Sequence, residues 1–533
     1  MHRLFLLLTC LLALSVGSFA TERPNIFIAI SDDVSWPHAS AYGSKMVSTP
    51  AFDQVAKDGV LFHNAFCPAP GCSPSRAAFL TGRHIWMNEE AGTHASYFQT
   101  KYRTFPEQLA DSGYFVGSTG KSWGPGNFQH DGRIINPAGK QWPVRRGDYV
   151  DGFRQFMADR PDDQPFCFWF GSHDAHRSYE KGSGLQKGLK LEQAEVPSFL
   201  PDHPTIRSDL LDYAFEVERF DDDCRQMLRM LADAGELDNT LVIVTSDNGM
   251  PFPRAKANCY EFGIHMPLAI SWKDGIPAGR ELSELIDFTD LTSTIYEATQ
   301  VPPPEDYPPV GTSLLSNLRS HRTGKADPDR TAVYVGRERH SSSRFNSLGY
   351  PQRAIRTSDF LYIMNLKPER WPAGTPRKFD RITYHSDGRF SGNLGPLHGA
   401  YHDIDACPSL DFLIQHHDDS EYARYLQLAV AKRPAEELFD IHSDPGCIHN
   451  LAMAPGFEEI RSKLQKQLLD YLKATNDPRV TGNGGVWETY PRVSKLRWFE
   501  VPEWAATNLS SIPVPEWLEK RRPYSDDSPL IPD

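Results

Sequence analysis

Asn25-Ile26-Phe27-Ile28-Ala29-Ile30-Ser31-Asp32-Asp33 decides how the rest of the chain is read: five apolar side chains in a row, then a serine and two carboxylates. A short run with no polar alternation has no side left for water, which suits a strand covered on both faces. Three more runs share the pattern. Residues 114–118 lead into Gly120-Lys121, residues 166–170 into His173-Asp174-Ala175-His176, and residues 240–244 into Ser246-Asp247-Asn248-Gly249. Helical patterns lie between them, clearest over 210–234, where apolar residues recur at helical spacing and Gly235 supplies the stop. Strands alternating with helices predict an α/β protein with a large, mostly parallel sheet sandwiched by helices. In such sheets functional groups collect beyond the carboxyl ends of the strands. All four runs end in polar or ionisable residues, which predicts one shared site.

Beyond a proline-rich stretch at 301–309 the pattern becomes less regular. Residues 354–366 read as a strand pair or one long strand, Glu437-Leu438-Phe439-Asp440 precedes a turn at Asp444-Pro445-Gly446, and 457–473 reads as an amphipathic helix. A chain of 533 residues exceeds one ordinary core. The expected division is a catalytic domain over 21–325 and a smaller C-terminal α+β domain over 326–533.

The first twenty residues read as a signal peptide: His2 and Arg3, an apolar run over 4–16, and a small-x-small cleavage site at Ser18-Phe19-Ala20. The run is too short for a permanent membrane anchor, and Cys10 inside it is a poor match to a lipidation site. The mature protein is expected to be exported, to periplasm, medium or lysosome according to the host, where Asn508-Leu509-Ser510 is a glycosylation acceptor if that host is eukaryotic. A net charge of −13 argues against a basic nucleic-acid surface, while a local cluster of cations still admits an anionic substrate. Seven cysteines follow the signal, namely Cys67, Cys72, Cys167, Cys224, Cys259, Cys407 and Cys447. If Cys72 is spent on chemistry, an even number remains for pairing.

The densest chemistry lies in Cys72-Ser73-Pro74-Ser75-Arg76-Ala77-Ala78-Phe79-Leu80-Thr81-Gly82-Arg83. Pro74 and the helix formers after it predict a helix from about Ser73, with residue 72 at its N-terminus, where free amides and the dipole favour an anion. Asp32, Asp33, Asp247 and Asn248 offer four hard oxygen donors from two strand ends, a shell that suits Ca2+ better than the smaller Mg2+. Their plainer reading is as turn and cap residues.

Residues 72–83 resemble the signature of the sulfatases, Cys-x-Pro-Ser-Arg followed by Leu-Thr-Gly, and the resemblance extends over nearly all of the mature chain. It includes Glu437-Leu438-Phe439-Asp440, Asp444-Pro445 and Asn450-Leu451-Ala452 near the C-terminus. The resemblance implies the alkaline-phosphatase-like fold and oxidation of Cys72 to formylglycine by a dedicated maturing enzyme during export. One hydroxyl of the hydrated aldehyde then attacks sulfur. Deprotonation of the other expels sulfate and restores the aldehyde. It implies Ca2+ held by Asp32, Asp33, residue 72, Asp247 and Asn248. It implies that Arg76 stabilises the hydrate, and that Lys121, His176 and Lys256 contact sulfate oxygens, with His176 near the leaving group. One departure stands out. Sulfatases commonly read Gly-Lys-x-His where this chain has Gly120-Lys121-Ser122-Trp123, so either His130 or another nearby group replaces the missing histidine or the loop aligns differently.

Within the family the chain is most similar to the heparan N-sulfatases. The matching pieces are residues 66–82, His173-Asp174-Ala175-His176-Arg177, and Thr245-Ser246-Asp247-Asn248-Gly249-Met250-Pro251-Phe252-Pro253. This implies hydrolysis of N-sulfoglucosamine at the end of a heparin-like chain, with Asp174 and His173 as substrate-binding residues. The alternatives are an O-sulfatase of another sulfated polysaccharide, a phosphoesterase of the same superfamily, or a glycan-binding protein with an unmodified Cys72. His340 is a weaker candidate from the second domain.

Overall fold

Strand β1 (Asn25–Ser31) lies in the middle of a nine-stranded sheet. The computed structural model describes residues 23–384, 390–506, 512 and 514–522. The expected signal peptide and Asn508-Leu509-Ser510 lie outside the described residues. The sheet comprises β1, β2 (Val60–Phe66), β3 (Phe115–Gly120), β4 (Lys140–Gln141), β5 (Phe166–Gly171), β6 (Thr240–Ser246), β7 (His265–Ser271), β8 (Arg280–Leu282) and β9 (Ile286–Asp287). Its order is β4-β3-β5-β1-β6-β7-β2-β8, with β9 also on β2. The β4-to-β6 half is parallel; β7 runs against both its neighbours, β6 and β2.

The uninterrupted apolar runs follow from the layers. On β1, Ile26, Ile28 and Ile30 face one core with Trp169, Phe79, Leu291 and Ile295. Phe27 and Ala29 face the other, with Phe153, Phe156, Phe220 and Met227. Each strand residue alternates sides, and both sides are covered. The long helix on the second face runs Pro204–Asp233, starting six residues before the apolar periodicity does. Pro204 presets the first turn, and the His203 ring accepts the Thr205 amide at 3.2 Å. The expected stop holds, with Gly235 at φ 74.

Strands β10 (Ala332–Arg337), β11 (Gln352–Thr357), β12 (Phe360–Asn365) and β15 (Glu436–Asp440) form a separate antiparallel sheet. Strands β13 (Phe379–Tyr384) and β14 (Phe390–Leu394) form a hairpin ladder. The helix Glu458–Ala474 packs on the four-stranded sheet through Leu464, Leu468 and Leu472. Among the described residues no helix is long and apolar enough to cross a membrane. The seven cysteines expected to leave an even number for pairing are all free and buried. They are spread over strands, helices and loops of different layers.

Gly120 and Gly171 are register partners at the ends of β3 and β5, and the Lys121 amide donates to the Gly171 carbonyl at 2.6 Å. A Cβ on Gly171 would stand 1.7 Å from the Lys121 carbonyl oxygen and 2.9 Å from Arg76 Nη1. Gly171→Ala is therefore expected to lower stability by about 3 kcal/mol, read as a shift in urea midpoint at constant slope. An unchanged midpoint would show that these strand ends separate freely.

Candidate active site

The parallel register aligns Ser31 with Ser246, so Asp32-Asp33 and Asp247-Asn248 leave the sheet side by side. The Asp247 amide donates to the Ser31 carbonyl at 3.1 Å, and the Asp33 amide donates to Asp247 Oδ1 at 3.2 Å. Asp33 has φ 70, a left-handed conformation that aspartate tolerates better than most residues and that active sites often hold. Carboxylate oxygens of Asp32, Asp33 and Asp247 come within 4.8 Å of one another, and all three residues are buried.

Three cations answer them. Arg76 Nε donates to Asp247 Oδ2 at 2.7 Å, Lys121 Nζ donates to Asp32 Oδ2, and Lys256 Nζ donates to Asp33 Oδ2 at 2.7 Å. Lys256 also donates to Asp405 Oδ2 at 2.9 Å, and its loop is tied down by the Ala257 amide on the Pro70 carbonyl at 2.7 Å. Arg76 reaches across to the carbonyls of Lys121 and Ser122, which locks the β3 end to the helix. His176 Nε2 lies 3.9 Å from Asp33 Oδ2.

Burial pushes the Asp33 carboxyl up to about 6 and raises Asp247 as well. Burial acts on Asp32 in the same sense, but Lys121, His176, Arg76 and Lys256 outweigh it and hold that carboxyl well below the usual range. The neighbouring acids therefore differ because the cations are unevenly shared.

The helix expected from Ser73 spans Cys72–Thr81, with Gly71 as its N-cap and every residue buried. The first helical hydrogen bond is Ser75 N to the Gly71 carbonyl, so Cys72 sits in the turn whose amides have no helical partner. Burial raises the Cys72 thiol, and Lys121 and Lys256 oppose that rise.

Asp32 Oδ1, Asn248 Oδ1, Arg76 Nη2 and Asp174 Oδ2 are among the buried atoms here without a hydrogen-bond partner among the described residues. Leaving such an atom unmade costs about 1–3 kcal/mol. Two of the four belong to the residues expected to bind a metal. Asn248 spends its amide nitrogen on Asp33 Oδ1 at 2.7 Å, which leaves its oxygen as the free donor. Asp32, Asp33, Asp247 and Asn248 thus fit a hard cation. A second trio, Asp33, His176 and Asp405, is equally close, but Lys256 already bridges its two acids.

His173 and Asp174 stand to one side. His173 Nδ1 meets the Tyr149 hydroxyl at 3.0 Å, and burial lowers its basicity to about 4. Asp174 Oδ2 is 3.8 Å from Arg219. The histidine against Cys72 is His94, not His130: Cys72 Sγ and His94 Nε2 are 3.2 Å apart. His130 is exposed and stacked on Tyr97. Trp123 packs on Phe98 and donates its indole N–H to the Ser73 carbonyl at 3.1 Å, supporting the helix start from below. Behind His94 stands the ring of His340, centroids 4.7 Å apart. Burial first, then His340 and Arg492, hold His94 well below its usual basicity. His94 and Asp405 carried no local signal in the sequence, since each sits on a loop that only the tertiary fold brings here.

A sequence profile of the family described as Sulfatase matches residues 24–301. The chain is similar to the human N-sulphoglucosamine sulphohydrolase, 28% identical over 90% of this chain and 96% of the relative. It is also similar to an ulvan-active sulfatase of Formosa agariphila, 27% identical over 87% of this chain and 83% of that one. Among solved structures, one of a protein in complex with its substrate D-glucosamine-2-N,6-O-disulfate superposes with a TM-score of 0.59. It shares 19% identity, covering 85% of this chain and 98% of that chain.

Arg76 and Asp247 form a fully enclosed pair. Arg76→Met leaves Asp247 charged without its guanidinium and is expected to cost about 3–5 kcal/mol in chelator-containing buffer. A loss below about 1 kcal/mol would mean that the pair is solvated.

Proposed function

Because this chain belongs to the sulfatase family, we propose that it releases sulfate from N-sulfoglucosamine at the end of a heparin-like chain, using formylglycine at residue 72 and one Ca2+. The observation that carries the reading is the position of Cys72. It stands at a helix start, among Lys121, Lys256, Asp32 and Asp247, in a chain similar along nine-tenths of its length to an N-sulphoglucosamine sulphohydrolase.

Formylglycine at residue 72 would supply two hydroxyls on one carbon as nucleophilic and releasing groups. Asp32, Asp33, Asp247 and Asn248 would hold Ca2+, which would supply Lewis acidity at the site. The remaining work falls to the chain's own side chains. Lys121 and Lys256 face the anion with charges already balanced by Asp32 and Asp33, so they are oriented before substrate arrives. Arg76 ties the helix that residue 72 opens to Asp247 and to the end of β3. His176, 33% exposed at its side chain, is the group open to the cleft and is placed to hand a proton to the departing amine. His94 takes the place of the histidine that the Gly120-Lys121-Ser122-Trp123 loop lacks. As a neutral imidazole 3.2 Å from Sγ, it would be the proton acceptor beside residue 72. Asp174 and His173 line the sugar side. The maturing enzyme acts during export.

The ulvan-active relative favours a second reading, an O-sulfatase of another polysaccharide. Sulfate release from glucosamine-N-sulfate, measured beside 6-O- and 2-O-sulfated sugars, separates the two. Release from the N-sulfated sugar is expected, with Cys72→Ser slower by at least about a thousandfold, roughly 4 kcal/mol of barrier. The tryptic peptide of residue 72 should carry an aldehyde mass. Release only from O-sulfated sugars would move the assignment to the second reading, and an unmodified Cys72 in active enzyme would remove the nucleophile.

A further inference from the structure

On the side of the site away from the main sheet, the loop 339–344 forms a partition. Its inner side carries His340, whose Nδ1 would be 3.0 Å from a Cβ on Gly71 and whose ring lies on His94. Its outer side carries the segment 490–497. Arg492 Nη1 donates to the His340 carbonyl at 3.1 Å and approaches the His94 carbonyl at 3.5 Å. The Arg497 amide donates to Ser342 Oγ at 3.0 Å. The Phe379 amide on the Trp498 carbonyl, at 2.9 Å, brings Lys378 alongside. His402 closes the group: its carbonyl accepts from Ser341 Oγ at 2.9 Å, and it lies three residues before Asp405, the clamp on Lys256.

Among the described residues, the charges acting on His402 are mostly positive. The neighbouring carboxylate, Asp403, is already taken by Arg337 at 2.8 Å, Arg344 at 2.5 Å and the Ser341 amide at 3.0 Å. Arg497 and Lys378 have no carboxylate partner among the described residues, and both are half-exposed. Lys495, beside them, makes a contact of its own. His402 Nε2 is enclosed without a hydrogen-bond partner. Burial and then the charges of Arg497 and Lys378 bring its basicity to about 3, so at neutral pH it is an uncharged imidazole among cations. A chain with a net charge of −13 concentrates here the charge that an anion needs.

We infer that Arg497, Lys378 and His402, braced by Arg492, form a second anion subsite that takes another sulfate or carboxylate of the same glycan whose sulfate is cleaved at residue 72. The inference rests on the sulfated-glycan reading above and sets its substrate class as one carrying at least two anionic groups. Arg497 and Lys378 supply charge at the rim. Nε2 of His402, in the tautomer that carries its proton there, supplies a directed donor.

The test is calorimetry with a heparin-derived tetrasaccharide on the wild type and on the Arg497→Gln/Lys378→Gln variant, at low and high salt. Sulfate release from glucosamine-2-N-sulfate, which carries one anionic group, is measured in parallel. The variant should bind the tetrasaccharide at least tenfold more weakly, with a flatter salt dependence, and cleave the singly sulfated sugar within twofold of wild type. Arg497→Lys should recover most of the affinity. Unchanged tetrasaccharide affinity, or equal losses on both probes, would overturn the subsite. A wild type inactive on glucosamine-2-N-sulfate would instead count against the N-sulfoglucosamine assignment, while the tetrasaccharide titration still reads the subsite.

Discussion

Mutual repulsion among Asp32, Asp33 and Asp247 is the constraint around which this protein is built. Three buried carboxylates within 4.8 Å cannot all stay charged without opposite charge at contact range. Each has one: Lys121 on Asp32, Lys256 on Asp33, Arg76 on Asp247. Each cation comes from a different element: the end of β3, the loop after β6 and the helix Cys72–Thr81. The three pairs therefore pin together the elements that also deliver residue 72. The glycines at 120 and 171 let the backbones approach closely enough for those pairs to form. Stability and chemistry are thus coupled through the same contacts.

Much of this was legible because parallel strands buried on both faces admit no polar residue until they end. The four apolar runs therefore marked both the strands and the places where polar side chains first become permissible. The helix Pro204–Asp233 was legible only in part. Its first six residues include Thr205, Arg207, Ser208 and Asp209, and its start is set by proline stereochemistry and the His203 cap rather than by periodicity. The free cysteines show the limit of counting: an even number says nothing about proximity.

The candidate site divides along the same line. Residues that follow a strand or open a helix were readable because backbone geometry places them. His94, Asp405 and the cations behind His340 were not, because loops place them through contacts between residues far apart in sequence, such as Arg492 on the carbonyl of His94. Trp123 illustrates the exchange. Where a histidine was expected, an indole supports the helix, and a histidine from an unrelated loop meets Cys72 instead. The loop 339–344 touches segments far from it in sequence on both of its sides. It presses His340 toward Gly71 on one side and anchors Arg492 and Arg497 on the other.

The account stands or falls on whether the crowded carboxylates are a cation cage. Calcium titration of the chelator-stripped protein by calorimetry tests this directly. One ion per chain is predicted, with binding abolished by Asp247→Asn and strongly weakened by Asn248→Ala. No calcium binding by the wild type, or binding unaltered by both substitutions, would contradict it.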